Sequence, residues 1–101
     1  TLEFNEIPLI QGVYELAQKG FIPGGTKRNL DYVSSQVNFS KNISQEQQYI
    51  LADAQTSGGL LISVAKEKAE DLQKTLTENN TLSSAIVGHV YNPAESTIYV
   101  N

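Results

Sequence analysis

The run Leu60-Leu61-Ile62-Ser63-Val64 decides how the rest of the chain is read. It is apolar on nearly both faces, as in a strand covered by two layers, and so predicts an interior, central strand. The period then changes. Ala65, Ala69, Leu72 and Leu76 trace one helical face, while Lys66, Glu70 and Lys74 form a ladder of alternating charge on the wet side. A covered strand leading into an amphipathic helix is a unit of a domain built from layers of sheet and helix.

Upstream of that unit, Ser44 followed three residues later by Gln47 has the form of a capping box. The serine oxygen takes a backbone N–H and the glutamine returns the bond, predicting a helix over 45–52 with Tyr49, Ile50 and Ala52 buried. Ile10, Val13, Leu16 and Ala17 mark an earlier helix. Lys19 suits its C-terminal dipole, and Gly20 supplies the left-handed position that stops it. Leu2, Phe4 and Ile7, set among Glu3, Asn5 and Glu6, predict a short half-buried strand over 2–6 that ends before Pro8. From Phe21 to Phe39 the periodicity fades, and the stretch reads as a structured loop with at most a short helix.

Downstream, residues 85–91 and 97–100 are rich in β-branched and aromatic side chains. The intervening Asn92-Pro93-Ala94-Glu95-Ser96 is turn chemistry, which predicts a C-terminal hairpin. The whole order describes an α+β domain: an α/β sandwich with covering helices on a mixed, largely antiparallel sheet.

The 101 residues make room for one domain, since a chain of this size buries about 65% of its unfolded surface. A complete two-domain enzyme is ruled out. Seven basic residues against eleven acidic ones leave a net charge of −4, which argues against a nucleic-acid footprint built on clustered cations. The absence of cysteine excludes a disulfide framework, a thiolate metal site and a thiol nucleophile within these residues. No apolar run approaches the roughly 20 residues of a membrane span, and nothing near Thr1 resembles a signal peptide. With no methionine at its start, the chain reads as an excised piece of a soluble, cytoplasmic protein.

Two glycine-rich stretches stand out. Pro23-Gly24-Gly25-Thr26, followed by Lys27-Arg28-Asn29, could turn backbone N–H groups toward an anion beside two cations. Its spacing matches neither a Walker loop nor a dinucleotide fingerprint, and composition favours a plain turn. Gln55-Thr56-Ser57-Gly58-Gly59 joins hydroxyls and an amide to a permissive backbone, but it follows a helix and feeds a strand. Phosphate loops run the other way, so close approach to a neighbouring domain or element is the better reading of its glycines. Asp53, Glu46 and Asp31 could suggest a magnesium site, yet nothing fixes them together, and they read as solvated acids. His89 has no second histidine or cysteine to act with and reads as a half-buried strand residue. The five tyrosines read as core-edge residues with wet hydroxyls.

The combination of these stretches is specific. Ile7-Pro8-Leu9, Gly12, Glu15-Leu16-Ala17 and Gly20 through Leu30 resemble the C-terminal domain of bacterial selenophosphate synthetases, also called selenide, water dikinases. So does Leu51 through Ile62, and Ala85-Ile86-Val87-Gly88-His89-Val90 looks like that family's closing strand. The similarity covers almost the whole chain and is least constrained at 38–48 and 77–84.

The resemblance implies a superfamily that also holds aminoimidazole ribonucleotide synthetase, in which an N-terminal ATP-binding domain precedes a C-terminal α/β domain partly similar to a ferredoxin-like fold. It implies a parent enzyme that makes selenophosphate, AMP and phosphate from ATP, selenide and water. It further implies magnesium bound outside this chain, a homodimeric parent, and supply of selenium to selenocysteine and modified tRNA. The family's catalytic Cys or selenocysteine, its Lys and its magnesium-binding aspartates belong to segments that these residues do not include. No catalytic residue is therefore carried over. Gly24, Gly25, Thr26, Asn29, Gln55, Thr56, Ser57, Gly58 and Gly59 correspond to family motifs, as candidates for a substrate-facing or domain-facing surface. The competing expectation is a stand-alone, noncatalytic ligand-binding or interaction module of the same fold.

Overall fold

The computed structural model describes residues 1–91 and 98–101. A 3₁₀ turn at Phe4–Glu6 is followed by α1 (Val13–Gln18), α2 (Gly24–Val33), β1 (Val37–Phe39), α3 (Gln45–Leu51), α4 (Lys66–Glu78) and β2 (Ile98–Val100). The domain is α+β, and among the described residues its sheet is two-stranded and parallel, with Val37 opposite Ile98, Asn38 opposite Tyr99 and Phe39 opposite Val100. The expected largely antiparallel sheet and the ferredoxin-like arrangement are corrected by this pairing.

The reason lies at the N-terminus. Leu2 forms an antiparallel bridge to Gly88 and a parallel bridge to Val100, so the opening residues lie between two segments that the sequence places side by side. Leu2 N–H donates to the Tyr99 carbonyl at 2.8 Å, Glu3 N–H to Val87 at 2.9 Å and Phe4 N–H to Asn101 at 2.8 Å. Gly88 permits this approach, because a Cβ there would collide with the Thr1 carbonyl oxygen. The expected hairpin between 85–91 and 97–100 is thus corrected, and its turn at Asn92–Ser96 lies outside the described residues. The expected strand over 2–6 shortens to the bridge at Leu2, because the backbone coils into the 3₁₀ turn that drops Phe4 into the core.

That core holds Phe4, Ile43 and Val100, with Leu2, Val37, Phe39, Ile50 and Leu51 packed around it. The capping box forms as expected: Ser44 N–H donates to Gln47 Oε1 at 2.7 Å, and Gln47 N–H to Ser44 Oγ at 3.3 Å. Helix α1 ends in the left-handed glycine stop. Gly20 lies at φ 82°, its N–H reaches the Ala17 carbonyl at 2.9 Å, and Phe21 N–H reaches Leu16 at 3.0 Å. Both α1 and α2 pack on α3.

The stretch 21–39 is more ordered than expected, with ten residues in α2. Thr26 is buried, and Leu30 and Val33 are half-buried at the following helical positions, so the helix has an inner face whose first member is a threonine. An apolar-periodicity search passes over that residue.

The interior strand at Leu60–Val64 is also corrected: the segment carries no ladder among the described residues, and Leu60 is 89% exposed. Apolar pattern reports a demand for cover, whereas strand formation needs a neighbour's backbone groups. Helix α4 follows as expected with Ala69, Leu72 and Leu76 turned inward, and Lys74 pairs with Glu78 at 3.9 Å. It docks on the segment after it, where Gln73 Nε2 donates to the Ser84 carbonyl at 3.1 Å.

Candidate functional site

The two glycine stretches, separated in sequence by β1 and α3, meet where α2 begins and α3 ends. Pro23, with its ring-fixed φ of −59°, is the N-cap of α2, so Gly24 and Gly25 form the helix's first turn instead of a turn outside it. Thr26 follows, 1% exposed, and its Oγ1 donates to Asp53 Oδ1 at 2.7 Å. One helical turn on, Asn29 Nδ2 donates to the Ala52 carbonyl at 3.0 Å.

Ala52 is the C-cap of α3, so its carbonyl lies at the electronegative end of that helix, where an amide N–H is a suitable partner. The two bonds therefore fasten the first turns of α2 onto the end of α3. Asp53 leads directly into the second stretch. Gln55-Thr56-Ser57-Gly58 is a turn closed by Gly58 N–H on the Gln55 carbonyl at 3.4 Å, and all of Gln55–Gly59 is exposed.

Of the nine residues singled out from the sequence, Thr26 and Asn29 are thus tied to the root of the second stretch. Gly24 and Gly25 share their helical turn with Thr26. Gln55, Thr56, Ser57, Gly58 and Gly59 follow the junction on an exposed surface. Asp53 is the residue that sequence reasoning undervalued. The sequence reads it as a solvated acid, and in the structure it stays exposed but also accepts the hydroxyl of Thr26, a partner 27 residues away that no local spacing records. His89 is exposed instead of half-buried, with its ring tilted against Tyr91 at a centroid distance of 6.3 Å. Tyr32, at 82% exposure, lies well outside any core edge.

An open hollow of about 460 Å³ lies between α2 and α3, lined in part by Lys27, Leu30, Asp31, Phe39 and Tyr49, and none of the nine residues lines it. Among the described residues no group of three or more His, Cys, Asp or Glu is placed to hold a metal ion. The magnesium that the resemblance places outside this chain does not fit the described donors here: Asp53 is engaged with Thr26, and no step is derived through the ion. The chemistry available at the junction is recognition. Bare backbone, hydroxyls and amides are present, flanked by the cations Lys27 and Arg28, but no nucleophile is paired with a base. No helix among the described residues is long and apolar enough to cross a membrane.

Comparison with known proteins gives one consistent result. The chain is 44% identical over 99 residues to a selenide, water dikinase of Clostridioides difficile, a match covering 98% of the chain and 28% of that protein. It is 47% identical over 102 residues to a selenide, water dikinase of Caldanaerobacter subterraneus, and 35% identical over 101 residues to one of Aliarcobacter butzleri. These matches cover 99% and 100% of the chain and 29% of each relative. No family model matches the chain. The chain spans less than a third of the length of these curated relatives, and by sequence it is a fragment like their C-terminal domain.

Proposed function

We propose that this chain, a fragment like the C-terminal domain of selenide, water dikinases, serves as the supporting domain of an ATP-using selenophosphate synthetase. The parent converts selenide, ATP and water into selenophosphate, AMP and phosphate, in the cytoplasm and as a homodimer. An N-terminal domain outside this chain binds ATP and magnesium and carries the nucleophile. The observation that carries the reading is the Thr26–Asp53 hydrogen bond, which joins the two stretches on which the family resemblance rests.

Phosphoryl transfer depends on positioning and on neutralising the charge that develops on the phosphoryl oxygens. The residues here contribute to positioning. Thr26 and Asn29 hold α2 against α3, and this fixes where Gly24, Gly25 and the Gln55–Gly59 turn present their backbone. That surface closes or supports a site whose chemistry is carried by the rest of the parent, so the chain alone is catalytically inert.

The test is selenide-dependent AMP formation by the full-length protein and by its Asn29→Ala and Gly59→Val variants. Both are expected to lose AMP formation while remaining soluble, since among the described residues nothing beyond its chain neighbours lies within 4 Å of a Cβ at Gly59. Unchanged AMP formation in both variants would remove the proposed role.

A further inference from the structure

The seven glycines of the chain divide by the reason each has for lacking a side chain. Gly12 and Gly20 occupy left-handed backbone at φ 86° and 82°. Gly88 is held bare by the Thr1 carbonyl, and a Cβ at Gly58 would press on Gln55 Oε1 at 3.0 Å. Gly24, Gly25 and Gly59 have no such reason. None has a positive φ. Among the described residues, a Cβ at Gly24 or Gly25 would meet only the tip of the Arg28 side chain, at 3.6 and 4.0 Å, and one at Gly59 would meet nothing within 4 Å. Glycine is also the least favourable ordinary residue within a helix, and α2 begins with two of them. All three sit on the two stretches that the Thr26–Asp53 bond joins.

We infer that Gly24, Gly25 and Gly59 leave the backbone bare at these positions for close approach by another protein backbone, an apolar surface in the part of the same polypeptide outside this chain. Two observations identify the occupant as protein. The glycines are flanked by exposed apolar side chains, with Phe21 68%, Leu60 89% and Leu61 77% exposed. The segment 60–64 has no strand partner among the described residues, so it offers backbone groups and apolar side chains together, as an added strand would use them. The relatives are more than three times as long as the matched segment, which leaves ample chain to supply that surface. The inference rests on reading the chain as part of such a longer protein.

The experiment compares the full-length protein with its Gly25→Ala and Gly59→Ala variants by thermal unfolding, by amide hydrogen exchange over 57–64 and by Mg-ATP affinity. Each alanine is expected to lower Tm and to raise exchange over 57–64 by about tenfold, while Mg-ATP affinity stays within about twofold. Alanine at position 25 favours the helix itself, so a loss there reports the external contact. An unchanged or higher Tm with unchanged exchange would overturn the inference. So would Mg-ATP binding weakened about tenfold with Tm retained, which assigns the bare backbone to phosphate. Leu61→Asn probes the same face without touching a glycine. It too should raise exchange over 57–64, and unchanged exchange overturns the proposal if the alanine variants fail to fold. These readouts do not depend on turnover: a full-length protein that makes no AMP from ATP and selenide would refute the functional reading and leave them standing.

Discussion

Thr26 Oγ1 donates to Asp53 Oδ1 across 2.7 Å, and through this bond the first turn of α2 is fixed to the residue that follows the end of α3. The threonine is 1% exposed whereas Asp53 is exposed, so the two partners lose different things when the bond is broken. Thr26→Val keeps the buried shape and leaves Asp53 to water, and a cost of about 1 kcal/mol is expected, near the typical net worth of one hydrogen bond. Thr26→Ser retains the donor and should recover most of that part. Urea unfolding of the three proteins measures the difference, and equal stability of Val and Ser variants would argue against the bond.

Helix α3 depends on its capping box, and Ser44→Ala is expected to cost about 1 kcal/mol in the same measurement. The box also sets a pH dependence. Glu46, in the first turn of α3, is held below the usual glutamate range by its own backbone N–H and then by the Ser44 hydroxyl. A carboxyl lowered in the folded state adds stability above its unfolded pKa, and that stability is lost as pH falls through the folded value. Glu46→Gln should therefore be less stable than the parent sequence at neutral pH, and the gap should close on acidification. A gap that is constant across the acid range would contradict this.

Two helix ends invite opposite substitutions. Gly20 at φ 82° stops α1, and Asn80 at φ 56° stops α4, with Thr81 N–H on the Leu76 carbonyl at 3.2 Å. Gly20→Ala places a Cβ in left-handed backbone and should destabilise by about 1 kcal/mol, whereas Asn80→Gly removes one and should stabilise by a fraction of that. Thermal unfolding of the two variants should shift Tm in opposite directions.

Local signals carried the helices and their ends. The Ser44–Gln47 box, the Gly20 stop and the inward positions Ala69, Leu72 and Leu76 are each set within a few residues, and each was legible in the sequence. The sheet was not, because its order depends on Leu2 lying between Gly88 and Val100, a contact between residues some 90 positions apart that no local pattern records. Helix α2 is longer than the short helix the sequence allows, because its buried first position is Thr26 and its opening residues are glycines. The site was legible in part: the two glycine stretches stood out by composition, but their junction required Asp53, whose partner lies 27 residues away. The run Leu60–Val64 is apolar on nearly both faces, yet it forms no strand among the described residues, because a ladder needs a neighbour's backbone groups as well as an apolar pattern.

The central claim is that this chain supports a site whose nucleotide chemistry lies elsewhere in the parent. Calorimetric titration of the folded chain with Mg-ATP, once circular dichroism has established its helices, tests that most directly. The account predicts no saturable heat. Saturable binding in the micromolar range, about −8 kcal/mol, would contradict it and move the nucleotide site onto the glycine stretches.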